Sequence, residues 1–292
     1  MYTKDEFERI HRDLKKEQLK RKQKLLKIWG ILLGITILLI ALALIVFPDQ
    51  FKNTDTAWIL PVYGGIFLSV SLIGFLVSFN FLSEKPFYEY LYPTIIDKIN
   101  REEGLFLTYE PYEKGKFEFN KIGGLFTYHA LARVKRHIKG HTEEQLDFDI
   151  YDTTLTTSSN NSQQTHLDGI YYVLHKKLET KIQVRTRGKA RIKGIKFEEV
   201  ETRQNLKVYK EVKTHLNAID YKLISFVENI EKANHLKQIY LSVVEDEIHL
   251  AIWYKIHPAK KQKKMTINIL NQFYEYFMSE LEQVQAIANL ES

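Results

Sequence analysis

Basic residues alternate along one stretch of the chain, and this pattern suggests a binding surface. Between positions 181 and 193 the basic side chains fall on odd positions, with Gln183 between them, and apolar residues fall on several even positions. Alternate side chains of an extended strand point to the same face, so the segment predicts a basic face that could bind phosphate groups, anionic lipids or an acidic protein. The candidate residues are Lys181, Arg185, Arg187, Lys189, Arg191 and Lys193.

The same alternation has a structural interpretation, because Lys and Arg on an edge strand prevent edge-to-edge association of sheets. Nucleic acid is disfavoured as a partner. Residues 83–292 hold 31 basic against 29 acidic side chains, and no aromatic residue is interleaved with the basic face. The partners that we expect are membrane lipids and either a protein partner or a second copy of the chain.

Histidines and carboxylates occur at spacings that could hold a metal ion, but neither arrangement predicts one. The residues concerned are His137, His141, Asp147 and Asp149 in one stretch, and His249 and His257 in another. The first pair lies in a segment typical of a strand or turn, where a four-residue spacing does not align two ligands as it would on a helix. We therefore expect scattered surface histidines, no metal and no cofactor.

Catalytic motifs are missing from the sequence. H-E-x-x-H, G-x-S-x-G and the phosphate-binding G-x-x-x-x-G-K-[ST] do not occur, and no thiol is present for nucleophilic or metal chemistry. No catalytic residue is nominated, and a binding or scaffold role is favoured. A membrane-bound enzyme with an unrecognised site and a subunit of a small oligomeric channel are the alternatives.

The elements that would carry these residues indicate an α+β domain of mostly antiparallel strands with packing helices. Residues 145–157 and the segments after Gly169 alternate as strands do, and residues 239–256 form two apolar runs typical of a hairpin. Asp220 is a natural N-cap for the helix that follows it. Three–four spacing of apolar residues predicts a final helix over 266–289, which could pack on its own domain or form a coiled coil.

Two long uncharged stretches near the N-terminus predict a membrane anchor. They cover positions 29–47 and 57–82. About 20 helical residues cross a hydrocarbon core of roughly 30 Å, so each stretch is long enough to span a bilayer. We predict a transmembrane hairpin over residues 29–82 with a connector at 48–56, preceded by a basic helical tail at 1–28 and followed by a domain at 83–292.

The distribution of charge predicts the orientation of this hairpin. The tail holds ten Lys or Arg residues against five acidic ones. Cytoplasmic segments beside a membrane are enriched in Lys and Arg, so the tail is expected inside and the connector outside. An even number of crossings returns the large domain to the cytoplasm. The absence of cysteine agrees with a reducing compartment.

Small residues recur at four-residue intervals in the two apolar stretches. This spacing lets helix backbones approach closely in lipid, either between the two helices of one chain or between copies of the chain. Neither stretch contains an ionisable residue, which disfavours a transporter or a proton-coupled pump. The packing candidates are Gly30, Gly34, Gly65, Ser69, Gly74 and Ser78.

Several segments resemble a known family. They are FNKIGGLF at 119–126, GHTEEQ at 140–145, DGIYYVL at 168–174, NLKVYKEVKTHLNAIDYKLISFVENI at 205–230 and the hairpin at 239–256. With the paired apolar stretches, this order resembles the bacterial membrane family catalogued as domain of unknown function 3137. Asp168 departs from the family pattern, which often has an aromatic residue there. The resemblance implies an integral membrane protein of bacteria without an assigned activity, and it carries over no functional residue. Together with the distribution of charge, it leads us to expect the bacterial inner membrane with both termini cytoplasmic.

Overall fold

The computed structural model describes residues 1–46, 69, 73–75, 90–110, 122–126, 131–142, 145–159, 162–190, 192, 194–233, 236–244, 246–255 and 266–291. The chain divides into two compact units. The helical unit comprises Tyr2–Leu91 and Lys263–Ile267. The sheet domain comprises Met1, Tyr92–Gln262 and Asn268–Ser292.

The helical unit contains one long helix, α1, which runs without interruption from Lys4 to Val46. Its first turn is stabilised by a capping box: the Glu6 amide donates to Thr3 Oγ1 at 3.3 Å, and the Thr3 amide donates to Glu6 Oε2 at 2.8 Å. With 43 residues, α1 includes both the basic tail and most of the first apolar stretch.

The described residues contain no helix that is both long enough and apolar enough to span a bilayer. The connector 48–56 lies outside the described residues, as does the second apolar stretch, 57–82, apart from Ser69 and residues 73–75. The transmembrane hairpin therefore stays a prediction.

The sheet domain confirms the predicted α+β class with antiparallel strands. Its strands form one nine-stranded sheet in the order β1-β2-β3-β4-β9-β8-β5-β7-β6, and every neighbouring pair is antiparallel. The strands are β1 (Thr108–Glu110), β2 (Leu131–His141), β3 (Asp147–Ser159), β4 (Ser162–Leu174), β5 (Ile182–Arg185), β6 (Phe197–Arg203), β7 (Leu206–Glu211), β8 (Leu236–Val244) and β9 (Glu247–Tyr254). The predicted hairpin is confirmed as β8 and β9, with Val244 opposite Glu247.

The pairing of β4 with β9 joins the two halves of the sheet, because β1–β4 lie on one side of this contact and β9, β8, β5, β7 and β6 on the other. Gly169 makes this close approach possible. A Cβ at that position would lie 2.0 Å from the carbonyl oxygen of Ile252, a distance that no side chain tolerates. The glycine of the DGIYYVL segment is therefore required by the sheet.

Helices of the sheet domain are α2 over residues 90–103, α3 (Ala218–Ala233) and α4 (Ile267–Ala288). Nine residues of α4 are buried, and the Tyr276 ring meets Tyr254 of β9 with centroids 6.3 Å apart. The α4 helix thus packs on its own domain, which was one of the two predicted alternatives. The N-cap of α3 is Asn217 and not Asp220, since Asp220 is the third helical residue and closes a capping box with Asn217.

A buried ion pair connects the helices to the sheet. Arg136 of β2 donates from Nη2 to Glu280 Oε1 of α4 at 2.6 Å, and both side chains are 1% exposed. The guanidinium also lies 4.5 Å from the ring centroid of Phe277 and 5.2 Å from that of Tyr92 in α2. Burial raises the pKa of Glu280, and the Arg136 charge opposes this rise. One side chain therefore contacts two helices from a single strand.

Removing one partner of this pair should destabilise the domain strongly, because it leaves a buried charge without its counterion. We expect Arg136→Met or Glu280→Met to lower the free energy of unfolding by about 3–5 kcal/mol, measured by urea denaturation. The double variant Arg136→Met/Glu280→Leu should lose less than either single variant. As a control, Lys207→Met removes the exposed pair with Glu199 and should cost under about 1 kcal/mol. Strictly additive losses in the double variant would contradict this account.

A histidine–carboxylate row as the candidate functional site

Three imidazoles and three carboxylates alternate across one face of the sheet. They start at the edge strand β1, cross β2 and β3, and continue past the end of β4 into β9, where the last imidazole meets a tyrosine hydroxyl. We call this set the His–carboxylate row. Its members, in order, are Glu110, His137, Asp149, His175, Glu247 and His249, with Tyr171 at the buried end.

The outer half of the row is centred on Asp149, which uses both carboxylate oxygens. His137 Nε2 lies 2.6 Å from Asp149 Oδ1, and His175 Nε2 lies 3.2 Å from Asp149 Oδ2. The other nitrogen of His137, Nδ1, is 2.9 Å from Glu110 Oε2. The ring of Tyr151 stacks on His137 with centroids 4.2 Å apart, which fixes the plane of the imidazole.

The inner half of the row leads from the surface into the core. His175 Nδ1 lies 3.1 Å from Glu247 Oε1, and Glu247 Oε2 lies 3.0 Å from His249 Nε2. The last two atoms are close but not aligned, since neither has a hydrogen-bond partner. We treat their contact as electrostatic. His249 is fully buried, and its Nδ1 lies 3.2 Å from the hydroxyl of Tyr171.

Strand register explains why these residues share one face. His137 pairs with Tyr151, and Asp149 is two residues from Tyr151, so the two side chains point the same way. Asp149 pairs with Val173, and Val173 pairs with His249 across the junction between β4 and β9. The row therefore depends on the same pairing that joins the two halves of the sheet.

The environment lowers the pKa of all three carboxylates. The Lys139 ammonium, 2.7 Å away, is the main cause for Glu110. Burial raises the pKa of Asp149, but the bonds to His137 and His175 outweigh it and the net pKa is lowered. The nearby His249 imidazole lowers the pKa of Glu247 more than burial raises it. Each carboxylate is thus stabilised in its ionised form.

A short segment, residues 122–126, covers the buried end of the row. At Gly123 a Cβ would lie 2.6 Å from the Tyr171 hydroxyl and 2.7 Å from His249 Cγ, so only glycine fits. Gln183 donates to the Gly123 carbonyl at 3.3 Å. The segment continues into a cluster of buried apolar side chains on the same face: Leu125, Phe126, Leu155, Leu167, Tyr171, Val173, Tyr240 and Ala251.

The predicted basic face is not formed by the part of this segment that the structure describes. Strand β5 ends at Arg185, and Gly188 has φ = +84°, a left-handed conformation that interrupts an extended run. Arg185 is buried and donates to the carbonyls of Leu125 and Lys189, so it does not lie on an exposed basic face. Arg187 and Lys189 are exposed, whereas Arg191 and Lys193 lie outside the described residues.

Lys181 lies elsewhere, on the wall of a surface cavity of about 450 Å³ near the start of α3. Its Nζ is 3.4 Å from Glu211 Oε1. A buried pair lines the same region, with Lys210 Nζ 2.6 Å from Asp220 Oδ2. Lysines and carboxylates balance around this cavity, so it has no preference for an anionic ligand.

The small-residue candidates have different surroundings. A Cβ at Gly74 would lie 3.0 Å from the ring of Trp29 in α1, and Phe75 meets the same ring edge-to-face at 5.8 Å. Among the described atoms, none lies within 4 Å of a Cβ placed at Gly30 or Gly34. Ser69 is exposed, and Gly65 and Ser78 lie outside the described residues. Among the candidates that the structure describes, Gly74 makes a close contact with α1.

His137, Asp149 and His249 were noted from the sequence, but their contacts within the His–carboxylate row were not predicted. His141 pairs separately with Asp147, and His257 lies outside the described residues. Among the residues that the structure describes, no three His, Asp or Glu side chains are placed to hold a metal ion. The missed members are Glu110, Tyr171, His175 and Glu247. The alternation of Glu247 and His249 on one strand was the available signal.

The chain matches no protein-family model, no curated protein and no solved structure.

Acid should destabilise the sheet domain through the row. A carboxylate whose folded pKa is lowered stabilises the fold above its ordinary value, about pH 4, and this contribution is lost as the pH falls through the folded value. We expect Asp149→Asn to lower the free energy of unfolding at pH 7 by about 1–3 kcal/mol. Between pH 7 and pH 3.5 the free energy of unfolding, measured by urea denaturation, should then fall by a smaller amount in this variant than in the wild type.

The matched control is Asp147→Asn, two residues earlier on the same strand. Asp147 is exposed and contacts His141 outside the row. This variant should keep the wild-type dependence on pH. If Asp149→Asn and Asp147→Asn lose the same stability at every pH, the row contributes nothing special to the fold.

Proposed function

We propose that the protein is a membrane-anchored binding module, in which α1 inserts its apolar part into a bilayer and contacts anionic lipids with its basic part. The observation that carries this proposal is the continuity of α1. One helix passes from a basic segment directly into a segment with exposed, uncharged, apolar side chains. In this arrangement the sheet domain stays at the membrane surface, where it can engage a protein partner.

Exposure of large apolar side chains supports insertion into lipid. Within α1, Ile31, Leu32, Leu33, Ile35, Ile37, Leu38 and Ile45 are each between 47% and 75% exposed. Water-soluble surfaces rarely present so many neighbouring aliphatic side chains, because each one costs hydration free energy. Acyl chains remove this cost. Trp29 lies at the start of the apolar part, where aromatic side chains favour the membrane–water interface.

The distribution of basic side chains supports contact with anionic lipids. Between Glu17 and Asp49 the sequence contains no acidic residue, whereas five Lys or Arg residues lie between positions 20 and 27. Along α1, nine of the ten basic side chains before residue 28 are exposed, and they are distributed around the helix. Basic residues next to a bilayer contribute about 1 kcal/mol each to binding of an anionic surface. The exposed residues are Lys4, Arg9, Arg12, Lys15, Lys16, Lys20, Lys22, Lys24 and Lys27.

The finer parts of the proposal come from the sequence. They are a second crossing over residues 57–82, an outside connector, a sheet domain in the cytoplasm of a bacterial cell, and membership of the family catalogued as domain of unknown function 3137. The close contact of Gly74 with Trp29 supports packing of the second apolar stretch against α1. A partner protein and self-association remain the two expected modes of binding.

Cysteine accessibility tests the anchor directly, because the natural chain has no cysteine. We expect Ile35→Cys and Ile37→Cys to be at least about tenfold less reactive than Lys16→Cys toward a membrane-impermeant charged maleimide, when full-length protein is assayed in broken-cell membranes. Hydrocarbon excludes the charged reagent, although both isoleucines are more than 45% exposed in the protein itself.

Solubilisation in dodecyl sulfate is the control, and all three variants should then be labelled equally. Equal labelling in intact membranes would overturn the anchor. Labelling of Lys16→Cys from the periplasmic side alone would leave the anchor in place and reverse its proposed orientation.

Lipid selectivity tests the basic part of α1. The triple variant Lys20→Gln/Lys24→Gln/Lys27→Gln should retain severalfold less phosphatidylglycerol relative to phosphatidylcholine than the wild type, as counted by native mass spectrometry from mixed-lipid nanodiscs. The control removes the same number of exposed charges from the sheet domain: Lys177→Gln/Lys207→Gln/Lys222→Gln. Equal loss of phosphatidylglycerol in both triple variants would contradict a specific role for α1.

A further inference from the structure

We propose that the His–carboxylate row is a proton-binding device that controls how firmly residues 122–126 are seated on the sheet. The proposal concerns the sheet domain and does not depend on the membrane anchor. It is carried by two observations. Each nitrogen of two imidazoles faces a carboxylate oxygen, and the buried end of the row lies directly under Gly123.

The number of protons in the row follows from its connectivity. An ionised carboxylate accepts hydrogen bonds only, and an imidazole donates from both nitrogens only when it is protonated. His137 lies between Glu110 and Asp149, and His175 lies between Asp149 and Glu247. Every one of these contacts is attractive when both rings carry two protons. Loss of one proton leaves a lone pair facing a carboxylate oxygen, so one contact becomes repulsive.

Proton loss at His175 should be transmitted to the core through Glu247. The carboxylate of Glu247 is shared between His175 and His249, and its contact with His249 is not aligned as a hydrogen bond. When Glu247 loses its partner on the His175 side, it is released to reorient toward His249. The imidazole then shifts against Tyr171, and both side chains form the surface on which Gly123 rests.

Residues 122–126 have little capacity to absorb such a shift. A Cβ at Gly123 would already overlap Tyr171 and His249, and Gly124 has φ = +58°, so the backbone is held in a conformation that favours glycine. Two side chains anchor the carbonyls of the segment: Gln183 at Gly123 and Arg185 at Leu125. Movement of the buried end of the row should therefore loosen the whole segment.

Among the residues that the structure describes, the titratable groups in and beside the row come from five strands and the residue after β4. They are Glu110 of β1, Lys139 and His137 of β2, Asp149 and Tyr151 of β3, Tyr171 of β4, His175 after β4, and Glu247 and His249 of β9. On β8 and β5 the residues next in register are Ser242 and Gln183, and residues 122–126 contain no titratable side chain. Near neutral pH, imidazoles are the groups of this set that normally change charge.

Hydrogen exchange followed by mass spectrometry tests the proposal on the full chain in detergent. After correction for the intrinsic effect of pH, protection of amides 122–126 should fall about tenfold between pH 6 and pH 8.5. Amides of α3 provide the internal reference and should not change. Asp149→Asn and His175→Gln should each show low protection of 122–126 at both pH values, because the row is interrupted in both variants.

His166→Gln is the matched control, since His166 lies on β4 but contacts Thr157 outside the row. This variant should keep the full dependence on pH. A flat wild-type profile, or a wild-type pH dependence that persists in both Asp149→Asn and His175→Gln, would overturn the proposal. A loss of amide protection in α3 would show that a variant is misfolded. Two row variants are used so that, if one is misfolded, the other still tests the proposal.

Discussion

The pairing of β4 with β9 is the constraint on which the sheet domain depends. It joins a four-stranded meander to the five strands that follow it, and it is possible because Gly169 has no side chain to collide with the carbonyl of Ile252. The same pairing brings His249 beside Val173 and thus aligns the inner half of the His–carboxylate row with Asp149. A single backbone contact therefore governs both the architecture and the candidate site.

A buried arginine on each face of the sheet connects the sheet to another element. On the helical face, Arg136 holds α4 through Glu280 and contacts aromatic rings of α2 and α4. On the opposite face, Arg185 donates to the carbonyl of Leu125 in the segment 122–126 and lies over the ring of Tyr240. Each buried guanidinium donates to a carboxylate or backbone oxygen, and burying a charge without such a partner is costly. Each links the sheet to an element that the strands alone would not hold.

The basic alternation around β5 correctly indicates an extended segment, but the described part of this segment does not form a continuous basic face. Residues 182–185 are extended, as the alternation indicates, but the strand ends at Arg185 and lies between β8 and β7 in the interior of the sheet. A strand flanked on both sides has no open edge, and the segment 122–126 covers the face toward which Arg185 points. The exposed basic side chains of the described residues are instead most concentrated along the first 27 residues of the chain, all of them in α1.

The sequence by itself determined the α+β class, the hairpin of β8 and β9, the C-terminal helix and the succession of basic and apolar parts in α1, because each depends on local periodicity or composition. It also indicated which side chains of a strand share a face. Only the tertiary structure decided which strands are neighbours, and the row depends on that decision. Tyr171 and His249 are separated by 78 residues in sequence, yet their side chains are 3.2 Å apart. Alternation of side chains along a strand specifies which residues share a face of the sheet, but it does not specify which strand lies beside it. Residues from five separate segments are therefore brought into one row only by the pairing of strands that are distant in sequence.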